Sequence, residues 1–140
     1  MLRSTIVILK SYLISIIILI IIAAIFSYIG DLIFKKIVVV DSSNSYLFKL
    51  SIRDYLEISG FLCLLTAICY YFIEKILALK NLLLRCMVSF LIMSVVIILF
   101  GGFTWGFTFN PFSIKTLISY GLSAFIFPIL LSKMQTNRKV

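Results

Sequence analysis

Five carboxylates make up the whole acidic inventory of this 140-residue chain: Asp31, Asp41, Asp54, Glu57 and Glu74. They leave little room for chemistry. No two of them fall at a spacing that builds a general acid–base pair, and no glycine-rich phosphate loop or nucleophile–base arrangement accompanies them. Histidine is absent, which removes histidine-ligated zinc, bis-histidine haem and histidine-based proton transfer. Cys63, Cys69 and Cys86 form no C-x-x-C pair and sit in or beside apolar runs, so they read as small packing residues. The chain is expected to be non-enzymatic, with no catalytic, metal or cofactor site.

Two acids are weak candidates for work in a membrane. Glu57 lies deepest, about one and a half turns into a predicted helix, where a coupled transporter would need a carboxylate that loads and releases a proton. Its plain alternative is an ion pair with Arg53, four residues earlier on the same face, worth about 0.3–0.5 kcal/mol in water. Glu74 sits at the other end of that helix, where Lys10 or the adjacent Lys75 is its expected partner. Its role there is to hold helix ends together.

These residues are carried by apolar runs. Residues 11–29 contain no charge, and a helix of that length rises about 28 Å, close to a bilayer's hydrocarbon thickness. Its isoleucines would weaken a helix in water. In lipid, every backbone N–H and C=O must pair within the segment, so helix is the available state. The run exceeds a signal peptide's apolar core and lacks an A-x-A site, which favours an uncleaved anchor. Only 13% of the residues are charged and the mean hydropathy is +1.22, against about 25% charged in soluble domains. The net charge of +8 sits mostly beside the apolar runs, as topology and headgroup anchors. No basic patch interleaved with aromatics suggests nucleic acid.

The expected fold is an all-α membrane protein: four transmembrane helices in one compact domain, at about 4–29, 52–77, 82–100 and 112–133. Outer loops cover 30–51 and 101–111, and a basic tail covers 134–140. Residues 37–50 read as a short β-hairpin or an irregular loop, because β-branched and aromatic runs flank an Asp/Ser/Asn cluster. Ser51 and Asp54 match a capping box that starts the second helix. Small residues four apart mark packing faces: Ser11, Ser15, Ala23 and Ser27; Ser59, Cys63 and Ala67; Ser119 and Ser123. Tyr70 and Tyr71 suit an aromatic belt. Gly101-Gly102 is expected to end the third helix. Phe103, Trp105, Phe107 and Phe109 would then share one face of an extended segment as interface anchors. Pro128 is expected to bend the fourth helix.

With four spans both termini share a side. That side holds eight of the thirteen basic residues, Arg3, Lys10, Lys75, Lys80, Arg85, Lys133, Arg138 and Lys139, and the other side holds five. The positive-inside rule places both termini in the cytoplasm of a bacterial-type cell inner membrane. The partners expected are the lipid bilayer and another membrane protein, or a second copy of the chain. In size, span number and basic cytoplasmic face the chain resembles immunity proteins against pore-forming colicins; the likeness is architectural and no motif carries it. It implies an immunity or exclusion protein acting through helix contacts. A small transporter or lipid-carrier flippase is the alternative, and multidrug transporters of similar size carry a glutamate inside a first helix that here is expected to hold no acid.

Overall fold

A computed structural model describes residues 2–37, 52–105 and 111–136, with side chains for 5–33, 52–100 and 114–136. Four helices follow in order: α1 (Leu2–Ile37), α2 (Ile52–Leu77), α3 (Leu82–Trp105) and α4 (Pro111–Thr136). Each contains a stretch long and apolar enough to cross a membrane: Thr5–Ile33, Ile52–Leu77, Leu82–Phe100 and Ile114–Thr136. This is the architecture of a small multi-pass membrane protein.

The helices pack as a ring. α1 lies against α2 and α4, and α3 lies against the same two. Small residues set how closely they approach. A Cβ on Gly121 would meet the Phe90 ring of α3 at 2.5 Å, and a Cβ on Gly30 would meet Ser119 Oγ of α4 at 2.7 Å. Ser89 Oγ crosses from α3 to donate to the Ala124 carbonyl of α4 at 2.7 Å. Between the helices Leu19, Leu62, Met93, Val96, Phe127 and Leu131 form the apolar core. Outward-facing residues such as Ile17, Leu91 and Leu122 are large and apolar, which lipid accommodates without a protein partner.

The α2–α3 connection is the four residues 78–81. Ala78 takes the left-handed conformation, φ 46°, that stops a helix and that glycine usually supplies. Asn81 caps α3: its Oδ1 accepts from Leu83 N at 3.0 Å while its carbonyl accepts from Arg85 N at 3.0 Å.

Four expectations change. α1 continues through Gly30 to Ile37, and directly after that glycine Asp31 is anchored to Lys115 of α4. The predicted hairpin therefore cannot begin at Ile37; residues 38–50 lie outside the described residues, among which there is no strand. Gly101-Gly102 does not end α3, which runs on to Trp105. Phe103 and Trp105 are accordingly helical and not extended, while Phe107 and Phe109 lie outside the described residues. α4 continues through the buried Pro128.

Candidate functional site: two inward-turned charge clusters

Each end of the bundle holds one carboxylate that ties helices together. At the end away from the termini it is Asp31 of α1, 4% exposed. Lys115 Nζ of α4 pairs with its Oδ1, and the Tyr55 hydroxyl of α2 donates to its Oδ2. One side chain thus joins three helices, with both oxygens engaged. The Tyr28 ring stands edge-on to Tyr55, 5.8 Å between centroids. A turn deeper, Ser59 Oγ of α2 and the Tyr120 hydroxyl of α4 share a hydrogen bond of 3.0 Å.

At the terminus end the carboxylate is Glu74 of α2. Arg85 Nη2 of α3 lies 2.5 Å from its Oε1, and the Tyr12 hydroxyl of α1 donates to Oε2 at 2.6 Å. Arg85 Nε donates in turn to the Tyr70 hydroxyl at 3.0 Å. Phe127 of α4 closes the cluster edge-on to Tyr70 and Tyr12, at 5.6 and 6.4 Å.

Both clusters follow one electrostatic logic. A lone charge taken out of water is penalised by several kcal/mol, so an inward carboxylate persists as an ion only beside a base and further donors. Here each acid has one base and one tyrosine hydroxyl, and each cluster is neutral as a unit. Among the described residues no buried side-chain nitrogen or oxygen lacks a partner. Such an arrangement fixes which helix faces which. Each oxygen of the two inward acids meets a partner, and the Glu74 side chain keeps 21% exposure.

The sequence-selected residues are distributed unevenly. Arg53 and Glu57 do pair, Nε to Oε1 at 2.7 Å, but on the outside of α2. Glu74 is bound by Arg85 and Tyr12 rather than by Lys10 or Lys75. Lys10 is exposed, and Lys75 lies over the Tyr71 ring, 4.5 Å from its centroid. Ser11, Ser15, Ala23, Ser27, Ser59, Cys63, Ala67, Ser119 and Ser123 are all buried between helices. Tyr70 is buried too, so it belongs to the interior and not to an interfacial belt. Cys63 and Cys86 are buried free thiols.

Asp31, Tyr55 and Lys115 were missed, yet each continues a stripe already visible. Asp31 is the next step of four after Ser27, Tyr55 the step before Ser59, and Lys115 the step before Ser119. Three small-residue stripes, each prolonged by one step, end on one ion pair and its hydrogen-bond donor. Ending the first helix at residue 29 concealed this. Arg85 likewise precedes the buried Ser89 and Met93 by steps of four. Comparison with protein-family models, curated proteins and solved structures finds no match.

Proposed function

We propose that this chain is a non-enzymatic membrane protein that works by contact with another membrane protein, through the outer surface of its bundle. The observation that carries the reading is the closure of the interior. Asp31 and Glu74 each engage both carboxylate oxygens with a base and a tyrosine hydroxyl. A proton-coupled carrier needs an intramembrane carboxylate that empties and fills during its cycle. A contact protein needs a scaffold of fixed helix order, which paired interior charges supply. The concrete form proposed is an immunity or exclusion protein against a pore-forming toxin. Its 140 residues, four apolar helices and the eight of thirteen basic residues on the side of the termini and the α2–α3 connection support this. In this proposal it sits in the cell inner membrane with both termini cytoplasmic.

A small transporter is the second reading, and Asp31 favours it: α1 does carry an acid, and it is buried. Proton flux separates the two. Full-length protein in sealed liposomes holding a pH-sensitive dye is subjected to a pH step. The contact reading expects proton permeability equal to that of protein-free liposomes. A flux that the wild type supports, and that Asp31→Asn or Glu57→Gln abolishes with helicity intact, would overturn it.

A further inference from the structure

The geometry points to the outer face of α2 as a self-association surface, on which a second copy of this chain docks around Arg53, Glu57, Gly60 and Leu64. This does not rest on the proposed function.

Two features of that face suit a partner, although Arg53 and Glu57 already pair with each other on their own helix. The first is charge. Ionisable residues within membrane spans almost always turn towards the bundle interior, and Asp31 and Glu74 do so. Arg53 and Glu57 turn outward instead, with side chains 86% and 61% exposed. Glu57 stands five residues into α2, about 7.5 Å along its axis, in an opening stretch that also carries Arg53 and Asp54. The second is shape. A Cβ built on Gly60 meets nothing within 4 Å, unlike those on Gly30 and Gly121, which are filled by neighbouring helices. Gly60, half-buried, thus leaves open space beside the α2 backbone where a side chain would otherwise stand. At 100° per residue, Arg53, Glu57, Gly60 and Leu64 fall on one stripe. Tyr55, Ser59, Leu62, Cys63 and Thr66 occupy the buried side.

A second copy fits both features. Copies of one chain insert with the same orientation, so a two-fold axis along the membrane normal sets α2 beside α2 at equal depth. Glycine then meets glycine, and the backbones approach as closely as small residues permit. Residues one turn apart on facing helices become neighbours, which brings Glu57 to Arg53 of the second copy and the reverse. Two pairs become a four-charge cluster, alternating in sign and shielded from lipid. Charge complementarity is thus built into the stripe, since Arg and Glu both recur across the axis.

The test is energy transfer between full-length chains carrying donor or acceptor fluorescent proteins at the C-terminus, diluted in lipid vesicles. Wild type should transfer above random proximity. Gly60→Ile should weaken association about tenfold or more. Its thermal melt should not fall, because the open space at Gly60 accommodates the side chain in the single bundle. Glu57→Arg, which sets four positive charges together, should also weaken association, and Arg53→Glu with Glu57→Arg should restore it. Transfer no greater than random in the wild type overturns the proposal. So does transfer unchanged by Gly60→Ile, or a double reversal no better than Glu57→Arg alone.

Discussion

At the scale of single residues, the Asp31–Lys115 pair is where the bundle has most to lose. Removing one partner of a buried pair strands the other charge and typically destabilises by about 3–5 kcal/mol, whereas apolar replacement of both is often neutral. Asp31→Asn is therefore expected to lower the detergent melting temperature sharply, read by far-UV circular dichroism. Asp31→Leu with Lys115→Leu should recover most of that loss. Within the single bundle Glu57→Gln removes only an exposed pair and should shift the melt of the detergent-dispersed monomer by less than about 0.5 kcal/mol. The contrast also marks what was legible. Arg53–Glu57 could be read from the sequence because it is local, four residues apart on one helix. Glu74–Arg85 joins two helices across a turn, and Asp31–Lys115 joins positions 84 residues apart. Partners of that kind are chosen by helix packing, which residue spacing records only as stripes. The stripes were legible and their charged ends were not.

At the scale of elements, hydropathy located all four helices, and the errors lie at their ends. Gly101-Gly102 reads as a terminator by the rules of water, where a freed backbone finds solvent. α3 nevertheless runs through both glycines to Trp105, and α1 runs through Gly30 to Ile37. The α2–α3 turn obeys the aqueous rules, because Ala78–Asn81 emerges from the apolar stretch and three of its four residues are exposed. Two substitutions there should act in opposite directions. Asn81→Ala deletes the cap on Leu83 N and should destabilise by about 1 kcal/mol. Ala78→Gly relieves a left-handed alanine and should raise stability by up to about 1 kcal/mol, less glycine's added freedom in the unfolded chain. Paired thermal melts of the two variants check both signs.

At the scale of the whole molecule, the Asp31–Lys115 and Glu74–Arg85 pairs turn inward while many large apolar side chains face outward, so the proposed contact is placed on the exterior. Orientation comes first. Reporter fusions at Ser45 and Thr108 should lie outside the cell, and fusions at Lys80 and Arg138 inside, on the eight-to-five basic asymmetry; a tail reporting the outside would reverse the assignment. The central claim, action by contact, is tested most directly by photo-crosslinking in the native membrane. A photoreactive residue replaces Ile17 of α1, Leu91 of α3 or Leu122 of α4, which are 49%, 60% and 52% exposed and lie away from the α2 face. The account predicts a discrete adduct with one different membrane protein from at least one of these helices, absent from the other faces. Adducts with lipid alone at all three positions would contradict it.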